Sequence, residues 1–247
     1  MKIYTVSDLH LEFFSDSGDY ASSLLDKIGV GANPKEDVLV IAGDLGFKHN
    51  LETALKILSP RFLAIIYVPG NHDYYHYSME EVRGVFRRIK IKNVHILDRG
   101  TVTIGGQGFV GATLWFPYQE TNEKFEKDLS DFSYIKDFNF YGENRLDQAF
   151  LEREVFCSDI VVTHHMPSLE TVAPQYKKSP MNCFFVTQMD DLIHRIQPRA
   201  WIFGHTHDSF QDLWNFHTKL ICNPYGYHGR EVNKKFDPQL YFDPREI

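Results

Sequence analysis

The run Leu63-Ala64-Ile65-Ile66-Tyr67-Val68 is strongly apolar and is closed by Pro69-Gly70-Asn71-His72-Asp73. A continuous run of this kind predicts a strand buried on both faces, as in sheets covered by helices. Pro69 and Gly70 stop it sharply and swing three polar side chains off its carboxyl end. In open α/β sheets that edge is where ligands bind.

Four other stretches repeat the arrangement. Ile3 to Ser7 leads to Asp8-Leu9-His10, and Val38 to Ala42 leads to Gly43-Asp44. Ile160 to Thr163 ends in His164-His165-Met166-Pro167, and Trp201-Ile202-Phe203 in Gly204-His205-Thr206-His207. Residues two apart on an extended segment share a face, so Asp8 and His10 present a carboxylate and an imidazole to one spot. Neighbours face opposite ways, so His164 and His165 should not both bind one metal. A lone histidine is usually a core or surface residue, and His49, His76, His95, His194, His217 and His228 are read so. Five strand ends that each deliver oxygen or imidazole donors are a different matter. Such a donor set suits Mn, Fe, Co, Ni or Zn, whereas Ca and Mg prefer all-oxygen shells.

Between the early strands, helices are expected at Tyr20 to Ile28, at Leu51 to Leu58 and after a capping box at Ser78-Met79-Glu80-Glu81. The last ends in Arg87, Arg88 and Lys90, which complements the helix dipole rather than marking a nucleic-acid patch. Alternating strands and helices imply a parallel sheet with right-handed crossovers. Val94 to Leu97, Thr101 to Ile104 and Phe109 to Leu114 then read as a meander of hairpins crossing into a second sheet. Residues 115–150 are rich in aromatics, either as packing for the helices or as a cap that walls a substrate pocket. Helices at Glu143 to Phe156 and Met189 to Ile196 follow, and Leu213 to Phe216 with Lys219 to Cys222 reads as a final hairpin before an irregular tail. The loop from Ser168 to Asn182 is read as solvated, its Lys177-Lys178 pair a second candidate for meeting a phosphate. With no repeat or linker-like break, one domain over 1–247 is expected.

Acidic residues outnumber basic ones, 33 against 26, for a net charge of −7. That balance argues against long nucleic acid as a partner and is compatible with nucleotides and other small phosphorylated molecules. No apolar run approaches the roughly 18 residues a spanning helix needs, so no membrane partner is expected. The amino terminus lacks the pattern of a signal peptide. Cys157, Cys183 and Cys222 are odd in number and widely spread, which fits a reduced, cytoplasmic protein.

In order, DxH, GD, GNHD, a histidine pair and GHTH resemble the signature of the calcineurin-like metallophosphoesterase superfamily, from Asp8 to His207. The resemblance implies an α/β fold, a four-layer αββα sandwich of two mixed β-sheets, with a dinuclear metal site at the strand carboxyl ends. It implies one metal held by Asp8, His10, Asp44 and His207, and another held by Asp44, Asn71, His164 and His205. His72 becomes the catalytic residue, placed to hydrogen-bond a phosphoryl oxygen or protonate the leaving group. Asp73 and His165 are left to support the site or meet substrate. The cofactors are two divalent ions, Mn first, with Fe, Ni, Co or Zn as alternatives. A shared carboxylate at Asp44 lets two cations sit about 3.5–4 Å apart and clamp the attacking and leaving oxygens. The expected activity is hydrolysis of a small phosphomonoester or phosphodiester by in-line attack of a metal-bridging hydroxide. The alternatives are a cyclic-nucleotide phosphodiesterase or nuclease, and a non-catalytic scaffold of the same fold. Leu45-Gly46-Phe47 follows Asp44 where the serine/threonine phosphatases carry a further acidic and basic cluster, which argues against that branch.

Overall fold

Successive residues of the strand Val38–Ala42 face two different cores, and this alternation sets the layers. Val38, Val40 and Ala42 pack in a cluster with Ile160, Val162 and Ile202 of a second sheet. Leu39 and Ile41 join a separate cluster with the helical residues Leu25, Leu55 and Phe86. The structure, a computed structural model, describes residues 1–14, 19–214 and 217–247.

The first sheet contains β1 (Ile3–Val6), β2 (Val38–Ala42), β3 (Ala64–Val68) and β4 (Val94–Ile96), all parallel. Helices α1 (Asp19–Lys27), α2 (Lys48–Leu58) and α3 (Met79–Arg88) connect them, and their Leu25, Leu55 and Phe86 cover the outer face. The capping box of α3 forms as expected: Ser78 Oγ accepts from the Glu81 amide, and Glu81 Oε2 accepts from the Ser78 amide at 2.8 Å.

The second sheet contains β5 (Gly100–Ile104), β6 (Gln107–Ala112), β7 (Ile160–Thr163), β8 (Ala200–Phe203), β9 (Phe210–Trp214) and β10 (Thr218–Cys222). Its order is β5-β6-β7-β8-β10-β9, with antiparallel pairs at both edges and parallel pairs within. Two short helices, α4 (Asn122–Phe125) and α5 (Asp131–Tyr134), precede α6 (Phe140–Glu154) and α7 (Asp190–Ile196). Leu151 of α6 and Leu192 of α7 pack on the outer face against Val161 and Trp201. The result is an α/β fold of four layers, two mixed sheets face to face with helices outside.

Three expectations need correction. Residues 94–114 are not a meander, because β4 runs parallel to β3 in the first sheet and only β5 and β6 form a hairpin. The crossing lies at Leu97 to Arg99: the Leu97 amide still bonds Tyr67 O at 2.8 Å, and Arg99 turns the chain at φ +54°. The tail is not irregular, for β11 (Gly226–Tyr227) pairs with β12 (Glu231–Val232), and β13 (Tyr241–Phe242) adds an antiparallel edge beside β1. The final hairpin starts earlier than expected, at Phe210; Asn215 and Phe216 lie outside the described residues, as does the side chain of His49.

An ion-pair network ties α3, the crossing and α6. Arg83 bonds Asp98 at 2.6 Å and Glu143 at 2.9 Å, while Arg99 bonds Glu143 at 2.7 Å and Asp147 at 2.8 Å. Burial would raise the Glu143 carboxyl, but Arg83 and Arg99 outweigh it and hold the group below its ordinary 4.5. A depressed folded value stabilises above the unfolded value and is lost as pH falls through the folded one. Glu143→Gln is therefore expected to cost about 1–2 kcal/mol at neutral pH, discounted for partial exposure. Thermal melts should show the gap to wild type closing as the buffer is taken below about pH 4.5.

Candidate metal centre

The strand ends converge on one buried spot. Asp8, His10, Asp44, Asn71, His164 and the backbone around Gly204 are closed off by the two sheets, and Asp8, His10 and His164 have no exposed surface. The approach depends on glycine. A Cβ on Gly70 would lie 2.1 Å from Asp44 Oδ1, and one on Gly43, where φ is +89°, would lie 2.1 Å from His164 Nδ1. Backbone strain gathers here as well: Asp8, His10, Asp44, His205 and His207 all have φ between +45° and +68°. Left-handed non-glycine residues cost of order 1–3 kcal/mol each and cluster at functional sites.

Among the described residues, donor atoms form three groups, each with its atoms within 4.8 Å of one another: Asp8, His10 and His207; His10, Asp44 and His72; Asp44, His164 and His205. Asp44 stands between two of them, its Oδ2 lying 3.7 Å from His10 Nε2 and 3.3 Å from His164 Nε2. Asn71 Oδ1 reaches the same side, 2.9 Å from His164 Nε2. Contacts outside this set aim the donors. His164 Nδ1 donates to Ala42 O at 2.9 Å, which leaves Nε2 facing the centre. The His205 amide donates to Asp8 Oδ1 at 3.0 Å.

Several atoms here fit a cation better than each other. His10 Nε2 and His207 Nε2 approach to 3.1 Å, and His205 Nε2 is buried with no hydrogen-bond partner among the described residues. Burial holds His207 down at about 4 and His205 well below the usual imidazole value, so both are neutral, the form that binds metal. Burial would lower His164 too, but the Asp44 carboxylate outweighs it and raises the ring to about 9. Oxygen and imidazole donors without thiolate match a transition-metal site.

His72 is held on every side. Its amide donates to Asp44 Oδ1 at 2.9 Å, its Nδ1 lies 3.0 Å from Glu12 Oε1, and its Nε2 lies 3.2 Å from the Tyr227 hydroxyl. Tyr75 stacks on the ring at 4.1 Å and 25°. Glu12 also meets His10 Nδ1 at 3.0 Å. Burial would raise Glu12, but these two imidazoles outweigh it and hold it at about 2. For His72 the balance runs the other way: burial would lower it, and Asp44 and Glu12 raise it.

Asp73 turns inward. Its Oδ2 accepts from the Gly70 amide at 2.7 Å and the Asp44 amide at 3.1 Å, so it braces the two loops that carry Asn71 and Asp44. Burial and the Asp44 charge push its carboxyl up. His165 is in none of the three donor groups. It packs 4.2 Å from the His205 ring and 5.4 Å from Trp115, and burial lowers it to about 3.

Four residues of this neighbourhood went unread in the sequence: Glu12, Tyr75, Asp131 and Tyr227. Asp131 is fully buried and accepts from Asn71 Nδ2 at 2.8 Å and from the Tyr75 hydroxyl at 2.6 Å. It comes from the aromatic segment. Trp115, Phe138 and Phe140 pack on one another at 4.3–5.6 Å, while Ser130, Asp131 and Tyr134 line the cavity over the centre. Lys177 stays within its own loop, bonded to Leu169 O at 2.8 Å and to Glu170.

Two facing sheets that bring aspartate, asparagine and histidine to one edge define a metal-binding α/β sandwich. The chain belongs to the calcineurin-like phosphoesterases, whose family model matches residues 1–209. It is 26% identical over 271 aligned positions to an uncharacterized protein, L509, of Acanthamoeba polyphaga mimivirus, covering 96% of this chain and 95% of that one. Among solved structures, the phosphopantetheinyl hydrolase of Mycobacterium tuberculosis aligns with a TM-score of 0.72 and 15% identity, over 92% of this chain and 89% of that one. A dimetal phosphatase from Danio rerio aligns with a TM-score of 0.51 and 13% identity, over 90% and 86%. Among the described residues, no helix is long and apolar enough to cross a membrane.

Proposed function

We propose that residues 1–247 form one domain that hydrolyses a small phosphomonoester or phosphodiester at a two-cation centre. One cation would be held by Asp8, His10, Asp44 and His207, the other by Asp44, Asn71, His164 and His205. The observation that carries the reading is the pair of donor groups on either side of the centre, with Asp44 beside His10 on one flank and His164 on the other. Two bound divalent ions would acidify water to a nucleophile and offset the charge of the phosphoryl oxygens. Manganese is the expected occupant, with Fe, Ni, Co and Zn suited to the same donors.

His72 is the catalytic residue in this reading. Glu12 takes up its Nδ1 and Tyr75 fixes its plane, so Nε2 is the atom that meets a phosphoryl oxygen or hands a proton to the leaving group. Tyr227 occupies that nitrogen here and would yield it to substrate or orient it. Asp131 holds the Asn71 amide nitrogen, which turns the amide oxygen to the cation side. The three cysteines are free, which supports a cytoplasmic setting.

Metal-stripped protein is expected to lose hydrolysis of chromogenic phosphate esters and to regain it on adding back divalent metal. Full activity in chelator, or none with any of the five metals despite bound ions, would sink this reading.

A further inference from the structure

The centre opens into a cavity of about 840 Å³, within the roughly 300–1,000 Å³ of small-molecule sites. Its walls differ from those of a polyphosphate site in two respects.

The first is aromatic surface. Tyr75 lies flat on His72, Tyr134 stands 5.3 Å from Tyr75 and 5.1 Å from His76, and all of these line the cavity. Tyr134 is 46% exposed, and Tyr176, from the loop after β7, lines the same space at 50%. Rings left this open beside a buried centre are surface for a ligand to cover.

The second is charge. Groups that receive several phosphates carry clustered arginine and lysine. Among the described residues Arg230 is the one arginine or lysine lining the cavity, and it lies 4.9 Å over the Phe13 ring. Asp128 and Glu231 line the same space. Apart from Glu12, Asp44 and Asp131 at the centre itself, these two carboxylates against one guanidinium oppose any negative charge beyond the phosphoryl group.

We propose that the cavity selects a phosphodiester of single negative charge bearing a flat aromatic or heterocyclic substituent, seated on the open ring of Tyr134. Dianionic monoesters and polyphosphorylated molecules are the disfavoured classes. The inference rests on the phosphoesterase reading above and narrows it.

Binding is tested with probes that have no ester bond to break: diphenylphosphinate, dimethylphosphinate and phenylphosphonate, titrated calorimetrically into the metal-loaded protein. Diphenylphosphinate is expected to bind about tenfold or more tighter than dimethylphosphinate, the scale of a ring stacking on an aromatic side chain. It should also bind tighter than the dianionic phenylphosphonate. Tyr134→Ala should shrink the aryl preference and Tyr134→Phe should restore it. Tyr118→Ala, which removes an exposed ring outside the cavity lining, should leave the preference unchanged. Turnover of phenyl against methyl p-nitrophenyl phosphate should follow the same order in kcat/KM.

Equal binding of the two phosphinates, or tighter binding of phenylphosphonate, would overturn the proposal while leaving phosphoester hydrolysis intact. Aryl preference that survives Tyr134→Ala undiminished would overturn the placement. Aryl preference without hydrolysis of any ester would uphold the subsite and remove the phosphoesterase reading instead.

Discussion

Asp44→Asn is expected to empty both metal positions together. The side chain stands between the flanks, 3.7 Å from His10 Nε2 and 3.3 Å from His164 Nε2. Asparagine keeps the shape and removes the charge that two cations would share. The affinity loss should exceed the roughly 10–100-fold typical of contacts behind a metal's own ligands. Elemental analysis after dialysis measures it, with circular dichroism to confirm folding. Loss of one ion alone would show that Asp44 serves a single position.

His72→Ala is expected to lower turnover by about 10²–10⁴-fold while both ions stay bound, the range for removing a positioned acid or base. The distinction matters because His72 also sits within reach of His10 and Asp44 as a third donor. It is proposed for chemistry and not for metal because the resemblance leaves it outside the ligand set; Glu12 meets its Nδ1 and Tyr227 its Nε2. If His72 protonates the leaving group, the loss should be steeper for an alkyl than for a nitrophenyl ester. Unchanged turnover would remove it from the mechanism, and loss of an ion would make it a ligand.

The parts of the fold that could be read in advance are those whose signal is local. Each of the five strands carrying site residues is an apolar run of four or five residues with a sharp stop, and each appears within two residues of its expected place. The donors at their ends inherit that legibility. β13 is two residues long, Tyr241-Phe242, and though both residue types suit a strand, two residues make no run or alternation that could mark one; it pairs with the open edge of β1. The change of sheet at Leu97 to Arg99 was obscured for a related reason. Short strands on either side of a turn look like a hairpin until their partners are known.

Glu12, Asp131 and Tyr227 were hidden by distance along the chain. Glu12 and Asp131 meet partners 60 residues away, and Tyr227 one 155 residues away. Glu12 left a trace only in standing two residues after His10. The chain there is left-handed at Asp8 and His10 and turns into a short 3-10 helix at Leu11–Phe13, so the alternation expected of an extended segment does not account for its place. Asp131 left none, since a lone aspartate among aromatics carries no sign that an asparagine amide waits across the cavity.

The pairing of β1 orders events in time. Its neighbours are β2 and β13, and the Gly226 amide bonds Asp8 O at 2.9 Å. Ribosomes deliver roughly 5–20 residues per second, so more than two hundred residues separate synthesis of Asp8 and His10 from that of their far-side support by about ten seconds or more. The first donors made are thus among the last to be gripped from both sides.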